Sequence, residues 1–453
     1  MPLTASRTAA GIPQEGTGGG LLWTEYWYLA ATIAAAAVAV DPFEWDLAAE
    51  PLLRHLALLI SLPALALTLA GSSLPNRGRR AGSLAELAAL LWPLLALAAI
   101  ALGGSAYARA VLGIQNSFLN VGLYMLAAYA AAVMVVRSGD PGALARAHLR
   151  ILLAAAFVMA GYLIANFRVR QVYHEQIFLV IPMAVLFFTW NTAGFVRWTG
   201  CLFFLVMAWL SAKYTSYLIG AVTAGYLALI VAIPRRVPSR GLRRTMLVYW
   251  AFVLAGMAGL GFVLLATSGS FEMPTGNLDY RLHTYAAAWE RFLDSPLWGT
   301  VFAVEAVEKF SLFSVGVARN VLPTHSDVLD LLANGGLLGI ALWLLALTRI
   351  GRAARENLLQ PEFLERPWAP PAHTLAVMSI AGIITYAFNP ILLQPALAYL
   401  VWTNLGLLAG LALRMASVEA NGDDLLRGAA PGARLRRGSY RPAAAGINAR
   451  WRT

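Results

Sequence analysis

The stretch Leu322-Pro-Thr-His-Ser-Asp-Val-Leu-Asp-Leu-Leu-Ala-Asn-Gly-Gly-Leu-Leu-Gly339 places one histidine where a long polar segment gives way to an apolar run. His325 lies 11 residues before Gly336 and 14 before Gly339. Thr324 and Asp327 have the Thr-x-x-Asp spacing of a capping box, which makes His325 the first residue of the helix that follows. Free amides and the helix dipole favour an anion there. The same positive end disfavours a protonated imidazole, so the ring stays neutral and fit to accept a proton. Gly335, Gly336 and Gly339 make one side of that helix small, which favours close packing by a neighbour. Asp327 and Asp330 are close enough in sequence to orient the imidazole or to bind the hydroxyl groups of a substrate, although capping is the simpler role for Asp327. A lone histidine outside such a pattern reads as a surface or capping residue.

Cationic side chains on the same side supply a second kind of chemistry. Lys213 opens a helix after a tight turn in Leu-Ser-Ala-Lys-Tyr-Thr-Ser. Arg281 stands near the start of a segment in which Leu278, Leu282, Tyr285, Trp289 and Phe292 recur at helical spacing, the pattern of an amphipathic helix lying on a bilayer. Arg168 and Arg170 in Asn166-Phe-Arg-Val-Arg-Gln point the same way if the loop is extended, and two such guanidinium groups can grip a diphosphate. Snorkelling to lipid headgroups is the plainer use of such residues, and the better one for Arg109, Arg291, Lys309 and Arg319.

Membrane spans must position these groups. The 453 residues are 59% hydrophobic and 13% charged, with a mean hydropathy of +0.65. A soluble domain carries about 25% charged residues, so this composition indicates a polytopic membrane protein. Apolar runs of spanning length fall near 21–40, 52–71, 84–103, 117–136, 149–165, 175–191, 195–211, 214–233, 246–267, 327–348, 373–390 and 394–413, about twelve helices. The first reads as an uncleaved anchor rather than a signal peptide, because the topology needs it. With a cytoplasmic N-terminus, the arginines of the loops near 77–80, 137–150, 235–244 and 349–366 all fall inside, and Asp41 to Glu50 forms an acidic outer loop. The net charge of +11 therefore suits anionic headgroups and not nucleic acid.

The chain then divides into a polar, Gly-rich cytoplasmic N-terminus over 1–20, expected to be disordered; nine spans over 21–267; one long external loop over 268–326; three spans over 327–413; and a basic cytoplasmic tail over 414–453, also expected to be disordered. A long polar loop in a compact bundle points to function rather than connection. The single cysteine, Cys201, sits in an apolar span and reads as a core residue. No metal-ligand pattern is present, so neither metal nor cofactor is indicated.

The His–polar–x–x–Leu…Gly–x–x–Gly pattern at 325–339 resembles that of bacterial O-antigen ligases and the related O-antigen and exopolysaccharide polymerases. Ser295-Pro-Leu-Trp-Gly299 resembles their Pro–Leu–x–Gly turn, which Arg281 precedes as an arginine does in the family. Lys213 is similar to the basic residue of their Ser-Arg or Ser-Lys pair. Two departures stand out: Ala212 precedes Lys213, with Ser211 displaced by one position, and Ser326 stands where the family often has asparagine. The resemblance implies an all-helical, GT-C-like inner-membrane protein that transfers a glycan from an undecaprenyl-diphosphate carrier to lipid A-core at the periplasmic face. It implies a metal-independent, inverting glycosyltransferase. His325 would serve as general base, and Arg281, Lys213, Arg168 and Arg170 would neutralise the diphosphate leaving group. Tyr280 and its aromatic neighbours would stack on sugars or anchor in the interface. A polymerase using the same carrier is the alternative. A transporter is the third reading, disfavoured because the span centres are nearly free of charge.

Overall fold

The computed structural model describes residues 22–41, 47, 50–70, 78–114, 119–166, 175–190, 194–211, 213–232, 239–266, 277–304, 326–359, 368–392 and 394–428. Over 78–83, 239–245, 260–266, 277–283 and 416–428 it describes the backbone alone. The helices in chain order are α1 (Trp23–Val40), α2 (Pro51–Ala70), α3 (Gly78–Val111), α4 (Leu119–Arg137), α5 (Pro141–Asn166), α6 (Ile177–Val180), α7 (Met183–Thr189), α8 (Gly194–Leu210), α9 (Tyr214–Ala232), α10 (Ser239–Ala266), α11 (Asn277–Asp294), α12 (Asp327–Leu358), α13 (Ala369–Phe388) and α14 (Pro395–Gly428).

Each apolar run of the sequence lies on a helix, the sixth on the pair α6–α7. Among the described residues, seven helical stretches are long and apolar enough to cross a membrane: Leu84–Val111, Leu119–Arg137, Pro141–Asn166, Tyr214–Val231, Asp327–Glu356, Ala369–Phe388 and Pro395–Met415. The protein is therefore a helical, polytopic membrane protein. Two expectations change. α14 continues to Gly428, into the segment read as tail, of which 429–453 lies outside the described residues, as does 1–20. The run at 175–191 is broken at Pro182, which has no amide hydrogen and whose ring crowds the carbonyl four residues back. α6 is fully buried, and in α7 all but Phe187 and Thr189 are, so protein surrounds the irregular backbone on most sides.

α4, α13 and α14 form the centre and are buried nearly all round. α14 lies along α4 through Gly406 and Gly410, a small-x-x-x-small face set against the carbonyls of Ala128 and Ala132. A Cβ on Gly410 would come within 2.8 Å of the Ala132 oxygen. Buried polar pairs stitch further helices together. His148 of α5 pairs with Tyr28 and Thr32 of α1 at 3.1 and 3.3 Å, and with Asn404 of α14 at 2.8 Å. His373 of α13 pairs with Tyr226 of α9 at 2.9 Å.

One end of the bundle is basic. Pro93 cannot donate to the Ala89 carbonyl, and Arg349 of α12 donates to that oxygen at 2.7 Å and to the Leu90 oxygen at 3.2 Å. Arg414 of α14 donates to the Ser138 oxygen, just past α4, at 3.4 Å. The opposite, far end carries the start of α12, the end of α13 and the start of α14.

Candidate functional site

At the far end α12 is not one helix. Gly336 has φ 61° and ψ −162°, which separates a half-helix, Asp327 to Gly335, from the rest. Such a break strands amides and carbonyls that must find other partners. The turn after α11 supplies them. The Leu337 and Leu338 amides donate to the oxygens of Pro296 and Leu297 at 2.9 and 3.1 Å, and the Phe302 amide donates to the Asn334 oxygen at 3.0 Å. Asn334 locks the joint with its side chain: Nδ2 donates to the Asp330 oxygen at 2.7 Å, and Oδ1 accepts from the Thr300 hydroxyl at 3.0 Å.

The close fit needs glycine on both sides. Gly299 also has a left-handed φ of 61°. A Cβ on Gly336 would meet the Leu297 oxygen at 2.5 Å, and one on Gly299 the Ala333 oxygen at 2.7 Å. Val301 and Phe302 hold left-handed φ of 55° and 59° without that freedom, and the buried Phe302 ring holds them there. The Pro–Leu–x–Gly and Gly–x–x–Gly motifs are thus two halves of one joint.

The start of α12 differs from the sequence expectation. The helix begins at Asp327, and the amides of Leu329 and Asp330 both donate to the Ser326 oxygen at 3.0 Å. Ser326 occupies the cap position that the Thr324–Asp327 box gives to Thr324. The Asp327 side chain does not cap its own helix. Its Oδ2 accepts the amides of Ile391 and Leu392, between α13 and α14, at 2.7 and 2.9 Å. Its Oδ1 is buried and has no hydrogen-bond partner among the described residues, and the Tyr386 hydroxyl and Trp402 Nε1 are buried close to one another. Asp327, Tyr386 and Trp402 line one narrow gap with Met125, Val328, Leu331, Trp343 and Leu392, and its surface is apolar. Asp330 is buried beside Asp327, and Glu175 is near enough for the two carboxylates to repel.

The remaining sequence-derived site residues fall as follows. His325 lies immediately ahead of Ser326, outside the described residues, as do Arg168 and Arg170. Glu175 follows the Arg168–Arg170 segment and approaches Asp327, so that connection leads to the far end. Arg281 and Tyr280 lie in the first turns of α11, described by their backbone. α11 packs against α12 and buries Thr284, Ala288 and Phe292, one stripe at a spacing of four. Trp289, expected on the same face as Phe292, is instead half-exposed, and Leu293, Leu297 and Trp298 are exposed with it. Lys213 is partly buried between α8 and α9. Ser211, the displaced serine, is buried and bonded to the Ser216 hydroxyl at 2.7 Å across that turn, which occupies its oxygen structurally.

Sequence reasoning missed Asn334, Tyr386 and Trp402. An asparagine directly before two glycines in an apolar helix was a usable signal for Asn334. Nothing local marks the other two as neighbours of Asp327. Compared with models of known protein families and with curated proteins, the chain matches none.

Proposed function

We propose that the chain is a glycosyltransferase of the O-antigen ligase type, moving a glycan from undecaprenyl diphosphate to lipid A-core at the far end of the bundle. On this reading all twelve apolar runs cross the bacterial inner membrane, the α6–α7 pair counting as one, and the basic end faces the cytoplasm. The far end then faces the periplasm.

One observation carries the proposal: the half-helix that follows His325 is fixed at both ends, by Asp327 to the α13–α14 connection and by Asn334 and Gly336 to the turn after α11. General-base catalysis needs a base held within hydrogen-bond reach of the proton it takes. A donor already activated by a diphosphate leaving group needs little else beyond cations to receive the developing charge. His325 takes the proton of the acceptor hydroxyl. Arg281 on α11, packed against that half-helix, stabilises the departing diphosphate with Lys213, Arg168 and Arg170. The exposed Trp289, Leu293 and Trp298 seat α11 at the membrane surface, beside a lipid-borne donor.

The test is reconstitution. Purified protein in liposomes receives an undecaprenyl-diphosphate glycan with either lipid A-core or further lipid-linked repeats, and the products are resolved on a gel. Glycan on lipid A-core supports the ligase. A ladder of carrier-linked polymer makes the protein a polymerase, and no product from folded protein with either acceptor rejects both. Transfer should survive EDTA. Arg281→Ala should slow use of the diphosphate donor, and an unchanged rate would return Arg281 to lipid anchoring.

A further inference from the structure

We propose that the turn after α11 is a strained clip, which shuts the end of α11 onto α12 and opens locally without unfolding the bundle. Val301 and Phe302 both hold left-handed backbone, a conformation that side chains rarely adopt and a β-branched residue least readily. The shut position demands it. The Val301 carbonyl lies against α3 where a Cβ on Gly104 would stand, and the Phe302 ring packs on Gly335 of α12. Such strain persists only where the surroundings over-determine it. Little of this turn is buried to do so: between Leu293 and Val304, Phe302 is the one buried side chain, while Leu297, Trp298 and Val301 are exposed. Strained backbone with few buried side chains lies at the low end of local stability. Ala288 and Phe292 keep the rest of α11 on α12 when the clip opens. The opening also has a defined unit. Just past the Gly336 break, the amides of Leu337 and Leu338 take their acceptors, Pro296 and Leu297, from the turn, and the Phe302 amide donates back to Asn334. These bonds cross the joint and part together. Gly336 lies 16 residues before Arg352, about 24 Å along a helix, so the joint falls near the far edge of the hydrocarbon, within reach of water.

Hydrogen–deuterium exchange of the full chain in nanodiscs, read at single amides by mass spectrometry, tests the clip. It needs no substrate, so the clip stands or falls apart from the transferase reading. In the wild type the Leu337 and Leu338 amides should exchange through one common opening, faster than those of Leu342 and Trp343 further along α12. Val301→Gly removes strain from the shut form and returns part of the gain as freedom in the open one, so exchange at Leu337 and Leu338 should slow about fivefold. Val301→Asn, which tolerates left-handed backbone, should slow it too. Val301→Ile keeps the β-branch and should stay within about twofold of wild type. Both reporting amides lie on α12, so the substitution does not alter their intrinsic exchange. Exchange at Leu337 and Leu338 as slow as at Leu342 would overturn the proposal, because the joint would then open only with the helix. Wild-type or faster exchange in Val301→Gly and Val301→Asn, or a slowing by Val301→Ile equal to that by Val301→Gly, would overturn it equally, because the left-handed valine would then store nothing that opening releases.

Discussion

The two ends of α12 solve mirror-image problems, one supplying donors to free carbonyls and the other an acceptor to free amides. At the basic end, Pro93 frees the Ala89 carbonyl and Arg349 donates to it and to Leu90. At the far end, the amides of Ile391 and Leu392 have no helical partner and Asp327 accepts both. The settings differ. Arg349 is partly exposed, so water can replace it, and a screened cation loses little on being there. Asp327 is 1% exposed, so water does not replace it, and its removal takes away the acceptor of the Leu392 amide and leaves the Ile391 amide the Asn389 oxygen alone. The first end looks built for tolerance and the second for fixed geometry.

Asp327→Leu should break that contrast most severely, lowering stability by about 3 kcal/mol as the Leu392 amide loses its acceptor and the Ile391 amide keeps the Asn389 oxygen alone. Thermal unfolding in detergent measures it, and a loss no larger than that of Arg349→Met would erase the difference between the ends. Gly336→Val comes next, at about 2 kcal/mol in the same assay, because the left-handed φ and the contact with the Leu297 oxygen both oppose a side chain. Asn334→Ala should cost about 1 kcal/mol, since the backbone bonds of the joint survive it. If Asn334→Ala costs more than Gly336→Val, the side chain and not the glycine fit holds the joint. Arg349→Met should fall below about 1 kcal/mol. A larger loss would show that the Ala89 and Leu90 carbonyls are sheltered from water.

Much of the fold was legible because hydrocarbon imposes a length. A span needs about 20 apolar residues, and runs of that size can be seen one at a time. The break at Pro182 was less visible, because the flanking residues are as apolar as those of an intact span, and the packing that buries most of them is a tertiary fact. The candidate site was legible in its motifs and not in its contacts. Pro296 to Gly299 and Gly335 to Gly339 each have a recognisable spacing, but their union depends on how α11 packs against α12. Capping logic suggested a local use for Asp327, and a tertiary partner prevailed, since the amides of Ile391 and Leu392 are buried and need an acceptor. The same logic placed the helix start at His325, whereas Ser326 caps it.

The rate of glycan transfer by His325→Ala in proteoliposomes, relative to wild type at equal stability, tests the central claim most directly. The proposal that His325 is the general base predicts a fall of about 10²–10⁴-fold with the donor still bound. A folded His325→Ala that transfers at the wild-type rate would contradict it.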